Sequence, residues 1–190
     1  MRKLEKIKNF TDVFSEERHH VFNKLDKLHE FLKKLKYEGK RYRQSNIRTI
    51  ERILSTLKET YLTHKQIDEE IIFPFLERHI PRLDPVLSLL TVECTEFYNI
   101  VSDCEALLKE FHKSEKQEAQ MNALDRLSEK GIYAIVLIRN HIQMEIESVY
   151  KVIDKELSQS EKKQLIEALK KKYGKRINAF LALSAFGQKV

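Results

Sequence analysis

Four times along this chain, apolar side chains recur at alternating spacings of three and four residues, the mark of a helix that buries one face. The first run is Phe14, Val21, Leu25, Leu28, Leu32 and Leu35, and the second is Ile50, Leu54, Leu57 and Tyr61. The third is Leu90, Phe97, Val101, Cys104, Leu108 and Phe111, and the fourth passes through Leu127, Ala134, Ile138 and Val152. Four glycines and three prolines leave little of the turn chemistry that a β-protein needs. Breaks fall at "KYEGKRYR" around Gly39, at "HIPRLDP" with its two prolines, and at the polar "HKSEKQEAQ". The second helix is expected over about 45–78, with Pro74 bending or ending its last turns. The fourth is expected to reach about Asp154, although Gly131 weakens an unbroken helix. "SQSE", Ser158 to Glu161, has the capping-box pattern and opens a short fifth helix expected to end at Gly174. The closing "INAFLALSAFGQKV" is apolar enough to dock on the body. The expected architecture is all-α: an up-down-up-down four-helix bundle over residues 1–157, with a C-terminal helix and tail, 158–190, packed on it within a single domain.

Each buried row is interrupted by polar residues. Arg18 stands in the first, His64 and Asp68 in the second, Cys94 in the third, and His141 with Glu145 in the fourth. After Asp68 the apolar row resumes at Ile71 or Ile72 and Phe75. Measured from the turns, the four interruptions fall at the same level to within roughly one helical turn, so they are expected to face one another. Inward-facing ionisable groups are costly unless something meets them. Two chemistries could do so. A histidine and a carboxylate at i and i+4 share a helix face and can grip one metal, and two such pairs opposed across a bundle suit iron, manganese or zinc. Alternatively, the guanidinium of Arg18 lies between Asp68 and Glu145 as a buried ion-pair network without metal.

The stretches "HKQIDEEIIFP" and "HIQMEIESVY" resemble the hemerythrin-like, His-His-Glu cation-binding family over roughly residues 10–155. The resemblance implies a four-helix bundle with a non-haem diiron centre used in oxygen, nitric oxide or iron handling. By position it implies that His64 and His141 are terminal ligands, with Asp68 and Glu145 as bridging carboxylates. Two departures stand out: Arg18 occupies the place of the family's first-helix histidine, and Glu93 with Cys94 replaces its usual Glu-His pair. His19, His20, Glu69 and Glu93 are replacement ligands within reach, and Cys94 is either a small core residue or a thiolate donor. These departures lead to the expectation of a mono- or binuclear iron site with fewer ligands than the family standard, manganese or zinc being the other metals of that donor class. The expected role is binding or sensing O2 or NO, or handling iron, more than enzymatic turnover. The rival is a metal-free bundle in which Arg18 replaces the metal and the protein serves as an interaction or structural module.

Composition narrows the setting. Hydrophobic residues at 42% and charged residues at 34% suit a globular protein rather than a disordered one. The longest apolar run, "YAIVLI", is too short to span a bilayer, and "MRKLEKIKNF" lacks the apolar centre of a secretory signal, so no membrane partner is expected. Cys94 and Cys104 lie roughly 15 Å apart along one helix and cannot bridge, so reduced thiols in a cytoplasm are expected. The net charge of +6 gathers in "KKLKYEGKRYR" and "KKKYGKR", read as solvated helix ends rather than a nucleic-acid surface.

Overall fold

The computed structural model describes residues 14–37 and 40–186, apart from the side chains of residues 16, 40 and 175–186. The regular structure in these residues is helical: α1 (Ser15–Tyr37), α2 (Lys40–Ile67), α3 (Phe73–His79), α4 (Asp84–Lys113), α5 (Gln117–Glu145), α6 (Lys151–Glu156) and α7 (Gln159–Phe186). Single π-helical turns join α2 to α3 (Asp68–Ile72) and α5 to α6 (Ile146–Tyr150), and a 3-10 turn (Pro81–Leu83) precedes α4. The all-α expectation therefore holds. The breaks at "HIPRLDP" and "HKSEKQEAQ" fall where the sequence puts them, and Gly39 lies outside the described residues. No helix among the described residues is long and apolar enough to cross a membrane.

The two described glycines both lie inside helices, and the expected helix end at Gly174 is corrected. Helix α5 runs unbroken through Gly131, where the missing Cβ makes room for α1: a Cβ there would stand 2.6 Å from Cδ1 of Leu32. Helix α7 does not end at Gly174 but continues to Phe186. No described glycine has positive φ, and an isolated helical glycine costs only about 1 kcal/mol, too little to stop a helix. At the other end of α7 the capping box forms as expected, with Ser158 N–H on the Glu161 carboxylate and Glu161 N–H on Ser158 Oγ.

The chain divides into two compact units, each taking a share of α1, α2, α4 and α5. In the unit of residues 22–62 and 92–140, cross-helix contacts run in opposite chain order. Glu51 meets His112 while Lys58 meets Glu105, and Asp103 meets Lys130 while Glu110 meets Arg126. These pairs make α2 antiparallel to α4 and α4 antiparallel to α5. In the unit of residues 1–21, 63–91 and 141–190, one core joins Phe14 of the chain's start to Ile67, Ile72, Leu76, Leu87, Val149, Tyr150 and Ile153. Leu165, Leu169 and Tyr173 of α7 complete that core.

The π turns displace the buried rows by one residue. In such a turn the backbone bond spans five residues instead of four. Phe73 N–H thus donates to the carbonyl of Asp68, and Lys151 N–H to that of Ile146. Beyond Asp68, Ile72, Phe73 and Leu76 are buried and Phe75 only half-buried; beyond Glu145, Val149, Tyr150 and Ile153 are buried and Val152 half-buried. A strict 3.6-residue period had pointed to Phe75 and Val152. Pro74, second residue of α3, has no N–H for the carbonyl of Glu70 four residues back; the π turn before it absorbs that defect, and the helix carries on.

Candidate metal centre

The ends of α2 and α5 are built alike. Each delivers a histidine and, one turn later, a carboxylate on the same face where its π turn begins: His64 with Asp68, the first residue of one turn, and His141 with Glu145, the residue just before the other. All four are buried, with Asp68, His141 and Glu145 at 1%, 1% and 2% exposure. Single π turns occur often at functional sites, because the extra residue re-aims the side chains beside it.

Donor atoms of His64, Asp68 and Glu145 all lie within 4.8 Å of one another. Nε2 of His64 stands 3.1 Å from Oε1 of Glu145 and 3.4 Å from Oδ2 of Asp68. Its other nitrogen, Nδ1, stands 3.0 Å from Oε1 of Glu17 on α1. The hydroxyl of Tyr150 donates to Oε1 of Glu145 at 2.6 Å. Phe14 sits edge-on to the His64 ring at 5.2 Å and stacks on Tyr150 at 5.9 Å. The guanidinium of Arg18 lies 5.4 Å over the Tyr150 ring. Both oxygens of Asp68 are buried and accept no hydrogen bond.

Burial opposes charge on His64, yet the carboxylates of Asp68, Glu17 and Glu145 outweigh it and hold the imidazole pKa well above its ordinary value. Burial raises the Asp68 carboxyl well above the usual range, with His64 only partly offsetting it. Burial also works to raise Glu145, but the charge and hydrogen bond of His64, the charge of His141 and the Tyr150 hydroxyl bring it below the usual range. Burial, reinforced by Glu145 and Asp68, pushes the Tyr150 phenol well up, so it remains a proton donor. Two carboxylates and one imidazole thus sit together in unlike states, as they do where a site is prepared for a charge.

Of the residues singled out in the sequence, His64, Asp68 and Glu145 meet, and His141 is buried close enough for its charge to act on Glu145. Arg18 is buried, and it lies over Tyr150 instead of bridging the two carboxylates: Asp68 accepts no hydrogen bond, and Glu145 takes its bonds from His64 and Tyr150. His19 is exposed, its Nδ1 on the carbonyl of Ser15, and Glu69 is exposed and paired with Lys65 at 3.6 Å. His20 is half-buried and outside the three-donor group. Glu93 and Cys94 belong to the second unit, where the buried Cys94 thiol donates to the Tyr61 hydroxyl at 3.5 Å. Cys104 is core, its thiol pushed up to about 12 by burial.

Glu17 and Tyr150 escape the sequence reading. Glu17 follows Phe14 by three and precedes Val21 by four, so it fits the buried row as well as Arg18 does. Tyr150 follows Glu145 by five, a spacing that reaches the same face only through a π turn.

A sequence search finds no match among curated proteins. The family of the hemerythrin HHE cation binding domain matches residues 9–153, a span that takes in both histidine–carboxylate pairs and both π turns. This chain belongs to the hemerythrin HHE cation-binding domain family.

Proposed function

We propose that the centre holds a single divalent cation, iron before manganese or zinc, with Nε2 of His64 and the carboxylates of Asp68 and Glu145 as ligands and His141 as a fourth. The protein then binds or senses O2 or NO, or handles iron, and does not turn over an organic substrate. The observation that carries this reading is Asp68: a buried carboxylate with no hydrogen-bond donor is expensive unless a cation meets it. Imidazole nitrogen with carboxylate oxygen is a donor set that suits iron, manganese and zinc. Iron in such a set supplies a redox-capable Lewis acid to which a diatomic can bind.

The surrounding residues support the same reading. Glu17 fixes the proton of His64 on Nδ1, which leaves Nε2 as the ligating nitrogen, the usual arrangement of a carboxylate behind a metal-bound histidine. Tyr150 holds Glu145 by Oε1, and the rings of Phe14 and Tyr150 keep water from that side of His64. Arg18 places a permanent positive charge beside Tyr150, and a second cation in that neighbourhood would be repelled. One ion fits this layout better than two. Metal analysis of protein purified without chelator tests the reading; fewer than two ions per chain, lost in Asp68→Asn, is the expected result.

One observation favours the metal-free rival in a changed form. Without a cation, doubly protonated His64 faces Glu17, Asp68 and Glu145 and neutralises part of their charge. The resident cation of a metal-free module would then be His64, with Arg18 outside the carboxylates. Protein that neither carries metal nor gains stability from ferrous ion would favour that rival.

A further inference from the structure

The family match stops at residue 153, so α7 lies beyond it, yet α7 is fastened to the segment that carries Asp68. Its first turn is tied to α3: Glu161, held by the capping box, takes His79 Nδ1 at 3.0 Å. About three turns on, its middle is tied to the π turn itself. Lys172 Nζ lies 2.7 Å from Oε2 of Glu70, and the hydroxyl of Tyr173 donates to the same carboxylate. That hydroxyl also lies 3.5 Å from the carbonyl of Gln66, so one side chain touches the chain on both sides of Asp68. Between these ties Leu165, Leu169 and the ring of Tyr173 are buried against the core that holds Ile67, Ile72 and Tyr150.

This placement matters because a π turn is not a self-sustaining conformation. Its bonds are fewer and poorer than those of an α-helix, and it persists where its surroundings hold it. Pro74 removes one alternative by denying Glu70 an α-helical donor. The register that remains turns Asp68 toward His64 and Glu145, and Glu70 toward α7.

We propose that Tyr173 and Glu70 are positioning residues of the cation site: through their contact α7 holds the Asp68–Ile72 turn in the register that presents Asp68 to the ion. This rests on the single-cation reading above. It follows that docking of α7 and occupancy of the site are linked, and by reciprocity each strengthens the other. Filling the site tightens α7, and loosening α7 weakens the site. A helix outside the family's domain thereby becomes the part of this chain able to report occupancy.

The test titrates the chelator-treated full chain with ferrous ion under anaerobic conditions by calorimetry, well below the melting temperature. Wild type is compared with Tyr173→Phe, Glu70→Ala, the two combined, and Lys163→Ala, which alters an exposed residue of the same helix. Tyr173→Phe and Glu70→Ala should each weaken affinity roughly threefold to tenfold, less than the ~10–100-fold typical of a direct partner of a ligand. The combination should lose less than the sum of the two single changes, because both remove the Tyr173–Glu70 contact while Glu70→Ala also frees Lys172 and Tyr173→Phe also gives up the Gln66 carbonyl. Lys163→Ala should bind as wild type does. Ferrous ion should also slow amide exchange over residues 159–174 in wild type and not in Tyr173→Phe, a readout that a merely structural role would not move. Undiminished affinity in Tyr173→Phe and Glu70→Ala, with wild type binding, overturns the inference and leaves the site standing. Failure of wild type to bind ferrous ion overturns both.

Discussion

Oε1 of Glu17 stands 3.0 Å from Nδ1 of His64, on the far side of the imidazole from Asp68 and Glu145. The contact fixes both the tilt of the ring and the nitrogen that faces the carboxylates. Outer partners of this kind typically contribute ~10–100-fold to metal affinity. Glu17→Ala should therefore weaken ferrous binding by about that factor. Glu17→Gln keeps an acceptor at the same reach and should lose less. Calorimetric titration of the two variants checks the order.

The charge states around His64 set a pH dependence with opposite signs in the two forms. In the cation-free protein the folded-state pKa of His64 is raised, so its stabilising contribution is complete below the unfolded value of about 6.5 and is lost as pH rises through the folded value. Glu145 is depressed, so its contribution is present above the unfolded carboxylate range and is lost as pH falls through the folded value. Asp68 is raised and favours folding on the acid side. The cation-free melting temperature should peak in mild acid and fall toward alkaline pH. Cation binding must remove the Nε2 proton, so ferrous affinity should rise over that same alkaline range. Melts and titrations from pH 5 to 9 would read both trends, and parallel curves would contradict them.

The two described helical glycines should answer the same substitution with opposite signs. At Gly131 a Cβ would meet Cδ1 of Leu32 at 2.6 Å, Cδ2 at 3.3 Å and Cγ at 3.6 Å, so the buried leucine cannot simply swing aside. Gly131→Ala should destabilise by about 1–3 kcal/mol despite its helix propensity. At Gly174 a Cβ meets nothing within 4 Å, and Gly174→Ala should stabilise by ~0.5–1 kcal/mol. Thermal melts of the two variants decide this.

Arg18 is expected to limit how many ions the centre accepts. Arg18→His removes the permanent charge above Tyr150 and supplies a donor at that place, and it should raise the ferrous stoichiometry above wild type. Arg18→Ala should raise it less and lower the melting temperature, through lost packing and lost cation–π contact worth ~0.5–2 kcal/mol. Stoichiometry unchanged in both variants would place Arg18 outside the centre's electrostatics.

Much of this molecule is legible in its sequence, and what is not has a local cause. The buried rows through α1, α4 and most of α5 follow a 3.6-residue period, so Leu25, Val101 and Ile138 could be placed by counting. The candidate centre is legible for a related reason: His64, Asp68, His141 and Glu145 interrupt those rows, and an ionisable residue on a buried face needs an explanation. The counting fails beyond Asp68 and Glu145, where one inserted residue moves burial from Phe75 to Leu76 and from Val152 to Ile153. No residue type announces a π turn, so the period could not warn of it. Glu17 was missed because Arg18, its neighbour, fits the same row and carries the more conspicuous charge. The length of α7 was missed because Gly174 weakens a helix without ending one.

A single titration decides whether Asp68 serves a bound cation. The chelator-treated full chain and its Asp68→Asn variant would each be titrated anaerobically with ferrous ion, with stoichiometry and melting temperature read on the same samples. One ion per wild-type chain, a melting temperature raised by that ion, and loss of both in Asp68→Asn are expected. Two ions per wild-type chain, no binding at all, or binding indifferent to Asp68 would contradict the single-cation reading.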